Sequence, residues 1–358
     1  MKKLSLLLST ALVLSMPAFS VMGEALEADD ASAVIEVATA EDLAAMNEDL
    51  TADYVLTADI DLGGEVWTPI GSFSPAGEEG EEAEMPDLAA AFTGTFNGQG
   101  HSISNFTVGD EAGICTGLFG CIANTDVGNF TVENVVSDGT VMASAVVGYS
   151  YCSAVHDVTL NGATITAHAG ELSSEGMYGG VVAAGMMSTI SDCTATADLT
   201  IPDGTANTGI IGGGLELTSV INCKASGTVT AGNNCYGLGG ISGCGFGAEE
   251  FTGCTAENVT ITAGNDCYWI GGLTGYAGGF EDESLGIPKT AVSGCTVSGC
   301  EITTGENADG VSAIVGAGFF MEGLAEAYGS DAYAEPTSFD VTDCTAENVT
   351  INGEAAEA

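Results

Sequence analysis

The chain has 358 residues, with 50 acidic side chains against four lysines and no arginine, a formal net charge of −46, and 45% apolar residues. Such a charge excludes phosphate backbones and anionic membranes as partners, because the surface repels them, and it removes the arginine forks that read carboxylates and phosphates. The apolar share excludes a wholly disordered chain, since it is enough to build a core.

Taken in chain order, residues 1–23 read as a secretory signal. Two lysines precede an apolar run from Leu4 to Met16 and a small-residue stretch at Pro17-Ala-Phe-Ser20. That run is too short for a bilayer span and no later stretch is longer, so a secreted chain with no membrane insertion is expected. Residues 24–52 read as a linker and a short capping helix. Thr39-Ala-Glu-Asp42 has the form of a helix start, followed by Leu43, Met46 and Leu50 at helical spacing.

From Asp53 to Asn352 the expectation is all-β. Asp53 to Gly71 leads, after an acidic insert, to Phe92-Thr-Gly-Thr-Phe-Asn-Gly-Gln-Gly100 and then to Gly117-Leu-Phe-Gly120. The insert carries Glu78, Glu79, Glu81, Glu82, Glu84 and Asp87, a carboxylate cluster of the kind that holds Ca²⁺ loosely; a solvated loop is the alternative reading. Otherwise no cofactor is expected.

Beyond residue 150 the chain repeats itself. Cys254 to Ile261 and Cys344 to Ile351 are the same octapeptide, CTAENVTI, and related stretches begin at Cys152, Cys193, Cys223 and Cys295. These cysteines are 41, 30, 31, 41 and 49 residues apart, with the excess placed in inserts at 281–289 and 322–338. Between them fall glycine-rich pieces such as Tyr236-Gly-Leu-Gly-Gly-Ile241-Ser-Gly and Tyr268-Trp-Ile-Gly-Gly-Leu273-Thr-Gly. Apolar residues alternate with Thr, as in Val259-Thr-Ile-Thr262, which is strand periodicity. Short strands repeating at a period near 30 residues predict a right-handed parallel β-helix, a solenoid of stacked coils.

Stacking at about 4.8 Å would place the leading cysteines in one interior column, with Val158, Leu199, Val229 and Val259 in another and Cys235 over Cys267 in a third. That spacing exceeds the Cβ separation of a disulfide, about 3.8 Å, and favours buried thiols. It would also line up Thr159, Thr200, Thr230, Thr260 and Thr350 on the outer face as a flat hydroxyl column, with Glu301 interrupting. Ordinary β-propensity explains such a column; contact with a glycan or another repetitive surface is the functional reading. Tyr178, Tyr236, Tyr268 and Trp269, beside the Gly-Gly turns, form either a sugar-stacking stripe or cladding for the coil edges.

Catalytic constellations are sparse. With no arginine, lyase chemistry on uronic acids loses its usual cation. A hydrolase would need two facing carboxylates, for which Asp59 and Asp61 are the paired candidates. His101, His156 and His168 do not cluster in sequence, and no paired Cys-x-x-Cys, Gly-x-Ser-x-Gly elbow or Walker phosphate loop is present.

The run from Asp53 to Gly120 resembles the start of the GLUG-motif right-handed β-helix proteins that bacteria export. Gly117-Leu-Phe-Gly120 carries the motif, and Gly240-Ile-Ser-Gly243 and Gly272-Leu-Thr-Gly275 are similar to it with a polar third residue. The resemblance implies a secreted or surface protein, adhesin-like, with no shared catalytic residue. The expected product is therefore a monomeric, exported binding or adhesion module for a glycan or cell surface, and a polysaccharide hydrolase is the alternative. Residues 353–358 read as a tail without a sorting signal.

Overall fold

The computed structural model describes residues 34–72, 88–109, 114–169, 176–246, 250–278, 290–319 and 340–356. The leader, the acidic loop with its six carboxylates and the inserts at 281–289 and 322–338 lie outside them. The architecture is a right-handed parallel β-helix. One coil shows the plan. Thr189–Ser191 and Thr194–Ile201 form its long side, Ala206–Gly209 and Gly212–Glu216 form two short sides, and Ser219–Ile221 then pairs in parallel with Thr189–Ser191 to begin the next coil. Repetition produces a long sheet of 20 strands, sheet 1, and two seven-stranded sheets. Sheet 2 contains Ala206–Gly209, and sheet 3 contains Gly212–Glu216.

From Asn129 onward, corners repeat because the chain places a left-handed residue there in each successive coil. Asp157, Asp192, Asn222, Gly253, Gly294 and Asp343 all have φ between +50° and +65°. Asn, Asp and Gly tolerate that conformation where branched residues do not. Asn222 Nδ2 also donates to Asp192 Oδ1 at 3.2 Å, tying two corners together.

The amino-terminal helix forms where its cap residues stand. Asp42 N–H donates to Thr39 Oγ1 at 3.1 Å, and Thr39 N–H donates to Asp42 Oδ2 at 3.0 Å, a reciprocal box that opens the helix Ala40–Ala45. Leu43 and Met46 are fully buried, so the helix covers the start of the stack. Ile35–Val37, ahead of the helix, already pairs in parallel with Tyr54–Leu56. At the other end Glu354–Ala355 turns back to pair antiparallel with Thr350–Ile351. No described helix is long and apolar enough to cross a membrane.

The cysteine column is present, with one change of membership. Thr194, Lys224, Thr255, Thr296 and Thr345 are in register, which stacks Cys193, Cys223, Cys254, Cys295 and Cys344 directly before them. All twelve cysteines are free thiols. Within the column each Sγ hydrogen bonds to carbonyls of its own and the preceding coil, as Cys254 Sγ does to Val220 O at 3.3 Å. Cys152 is not a member. Its coil has its corner at Asp157, so Val158 fills the column place and Cys152 lies beside Met187 at the end of sheet 3. Cys235 and Cys267 do stack, with Cys235 N–H on Cys267 Sγ at 3.4 Å.

The same frame shift corrects the Thr and apolar columns. Thr159 pairs with Thr131 and Thr194, and Thr200 pairs with Thr166 and Thr230. An extra residue, left-handed Asn258, then moves the frame again. Thr230 meets Thr262, while Thr260 meets Thr228, Glu301 and, one coil further, Thr350. Inside, Leu199 and Val229 stack on Ile261, and Val259 stacks on Gly227. One inserted residue reverses which neighbours meet, because strand side chains alternate.

Candidate binding site in the seam between the short sheets

Sheets 2 and 3 face each other at backbone distance, and the glycine tetrapeptides explain how. A Cβ on Gly213 would lie 2.4 Å from Tyr178 N, on Gly243 2.1 Å from Thr208 N, on Gly275 2.4 Å from Leu238 N, and on Gly316 2.4 Å from Ile270 N. Each is the closing glycine of a tetrapeptide or its equivalent, so any side chain there would push the sheets apart. The second residue, Leu118, Ile241 or Leu273, is fully buried at the turn between the sheets.

Side chains just after each closing glycine enter this seam. At its amino-terminal end it holds a second apolar cluster of Cys115, Cys121, Met142, Tyr149, Tyr151 and Met186. Cys115 Sγ touches Met142 Sδ at 3.5 Å. Burial pushes the Cys121 thiol up to about 12, so these are protonated packing groups rather than reactive thiolates.

Toward the carboxyl-terminal end the seam becomes aromatic. Tyr236 and Tyr268, in register on sheet 2, stack at 5.1 Å with 8° between their planes. Trp269 stands nearly perpendicular to both, 4.9 Å from Tyr268 and 6.0 Å from Tyr236, and Tyr276 reaches it from sheet 3 at 4.9 Å. All four rings are half-buried. Each such pair is worth about 1 kcal/mol beyond burial, so the rings brace one another.

Trp269 occupies an unusual backbone position. The equivalent residues in the surrounding coils are Asn207, Gly237 and Gly310, and all four are left-handed, with φ of +46°, +67°, +60° for Trp269 and +63°. Asn207 Oδ1 is buried and has no hydrogen-bond partner among the described residues. It presses on Gly237 from one side, where a Cβ would meet it at 2.8 Å, and Tyr276 Cε1 presses from the other at 3.3 Å. Between the sulfur and aromatic ends lies Glu216, whose carboxyl burial pushes up to about 7; its charge in turn raises the hydroxyls of Tyr149 and Tyr276, for both of which burial is the larger cause.

Of the four aromatic residues singled out in the sequence, the structure brings together three, Tyr236, Tyr268 and Trp269; the fourth, Tyr178, is fully buried with its hydroxyl donating to Thr140 O at 2.7 Å, so it is a core residue and not part of a stacking stripe. The structure adds Tyr276, Tyr149 and Glu216, which the sequence reading missed. Their signal was available, for Tyr149 and Tyr276 each directly follow a closing glycine, Gly148 and Gly275.

The hydroxyl face lies elsewhere, on the outside of sheet 1. Thr166, Thr200, Thr230, Thr262 and Thr303 succeed one another in register there. At the beginning of the strand Ile60–Val66 both candidate carboxylates are engaged in hydrogen bonds. Asp59 accepts from Ser102 N–H at 2.9 Å and contacts His101 Nδ1 at 3.1 Å, while Asp61 accepts from Asn105 Nδ2 at 2.8 Å and Gly63 N–H at 2.9 Å. These bonds hold both carboxyls below the usual range, the state of turn acceptors rather than of a proton donor. His156 bridges Asp126 and Asp157, each at 2.8 Å. No cluster of three or more His, Cys, Asp or Glu suited to a metal occurs among the described residues.

Comparison with known proteins supports the fold. No family model matches the chain, so the resemblance to the GLUG-motif proteins is not shown. A crystal structure of "a putative immunoglobulin A1 protease" from Bacteroides ovatus superposes with a TM-score of 0.52 at 15% identity, over 90% of this chain and 78% of that one. A chain named IgA1 Protease gives a TM-score of 0.44 at 13% identity, over 90% of this chain and 20% of that one. In sequence, halomucin of Haloquadratum walsbyi is 30% identical over 154 residues, which is 40% of this chain and 2% of halomucin. This chain is therefore similar in fold to a solved β-helix and shares a stretch of sequence with a very much longer protein.

Proposed function

We propose that this chain is an exported recognition module that binds a glycan or a comparable cell-surface structure without transforming it. The observation that carries the reading is the ring cluster Tyr236, Tyr268, Trp269 and Tyr276, drawn from two sheets and left half-buried rather than sealed. Rings held rigid by one another present an amphipathic surface with little conformational entropy to lose on binding. Export rests on the leader pattern at the amino terminus.

Hydrolysis is the alternative, and Glu216 is the residue that favours it, because a carboxyl with a pKa of about 7 is suited to donate a proton. Glycoside hydrolysis needs a second, facing carboxylate, and Asp59 and Asp61 are engaged as turn acceptors. Incubating the purified protein with a glycan panel tests both readings at once. Retention without new reducing ends is the expected result; new reducing ends, or retention of no glycan, overturns the proposal.

A further inference from the structure

Resting on the binding reading above, we infer that the aromatic end of the seam selects an uncharged glycan, and that Trp269 is the residue that grips a sugar ring there. Two independent observations lead to this.

The first is where Trp269 sits. Its column is occupied by Asn207, Gly237 and Gly310 in neighbouring coils, residues that accept a left-handed backbone. Tryptophan at φ +60° is strained by about 1–2 kcal/mol, and because the ring is only half-buried it recovers less by desolvation than a core residue would. Glycine meets the backbone requirement one coil before and one coil after. What tryptophan adds is a large indole fixed on three sides by Tyr236, Tyr268 and Tyr276. A rigid indole complements the C–H face of a pyranose, an apolar surface rimmed by hydroxyls.

The second is charge. Lys224, the only lysine among the described residues, stands on sheet 1 between Thr194 and Thr255, away from the rings. The groups beside the rings are carboxylates: Asp309 is exposed and in register with Tyr268, Asp266 is exposed just before it, and Glu216 enters the seam. A polyuronate, sialylated or sulfated chain would meet like charge with no arginine to pair it. An uncharged ring meets no such penalty.

The test uses intrinsic fluorescence, since the chain has two tryptophans and Trp67 is 8% exposed within the core. Neutral gluco- and N-acetylglucosamine oligosaccharides, polygalacturonate and a glucosamine polymer are titrated against the full chain at 0.15 and 0.5 M NaCl. The expected result is a fluorescence change and retention with a neutral oligosaccharide, insensitive to salt. Trp269→Ala lowers that affinity at least tenfold with the melting curve still cooperative, and Trp269→Tyr recovers part of it. Binding of polygalacturonate as tight as that of the neutral sugars, or binding of the glucosamine polymer alone that vanishes at 0.5 M NaCl, overturns the ligand class and leaves the binding reading standing. Undiminished affinity in a folded Trp269→Ala variant overturns the role of Trp269. No response to any glycan in the unaltered chain overturns both this inference and the binding reading beneath it; because that measurement needs no variant, a misfolded substitution does not obscure it.

Discussion

At the scale of single residues, two side chains in the seam are held against their own chemistry. Asn207 keeps a buried oxygen without a partner among the described residues at φ +46°, in a column where Gly237 and Gly310 do the same work without a side chain. Asn207→Gly removes the unsatisfied oxygen, worth about 1–3 kcal/mol, against an entropic cost of about 0.5–1 kcal/mol. A net gain near 1 kcal/mol in a denaturant melt is the expected outcome. Glu216 sets a pH dependence. Its folded pKa of about 7 lies above the ordinary 4.5, so the folded chain binds the extra proton and stability falls as pH rises from about 4.5 to 7. The whole effect is at most about 3 kcal/mol. Glu216→Gln should flatten that limb and melt later than the unaltered chain at pH 8; parallel pH profiles for the two would contradict it.

At the scale of elements, sheets 2 and 3 depend on glycines that admit the facing backbone. Gly243→Ala would place a methyl 2.1 Å from Thr208 N, an atom with no freedom to move aside. A loss of about 3 kcal/mol is expected, against almost none for Gly109→Ala, where nothing lies within 4 Å. The strands themselves were legible from alternation and from the repeat, as was the capping helix from Thr39 and Asp42. Register was less so. The spacing of cysteines aligns Cys152 with Cys193, but the left-handed corner at Asp157 decides the frame and sets Thr159 apart, and the bulged residue at Asn258 then separates Thr260 and Thr350 from Thr200 and Thr230, leaving three columns. Corner residues are Asn, Asp or Gly in many loops, so their sequence alone does not mark which one turns the chain.

At the scale of the whole molecule, a solenoid with a net charge of −46 repels itself along its length. Folding concentrates that charge, so screening should favour the folded state. Raising NaCl from 0.05 to 1 M is expected to lift Tm by about 5 °C or more; an unchanged Tm would show that the acidic residues are spaced widely enough not to interact.

The sequence by itself determined that the chain stacks parallel strands, that cysteines line its interior and that its surface is acidic. Periodicity and composition are local properties, and a coil repeats them. Only the tertiary structure decided that two of its sheets press together at their glycines, and that Tyr276 of one reaches Trp269 of the other. Contact between those sheets depends on a turn that inverts the chain within each coil, and no spacing along the strand records which outward-facing side chains such a turn will enclose.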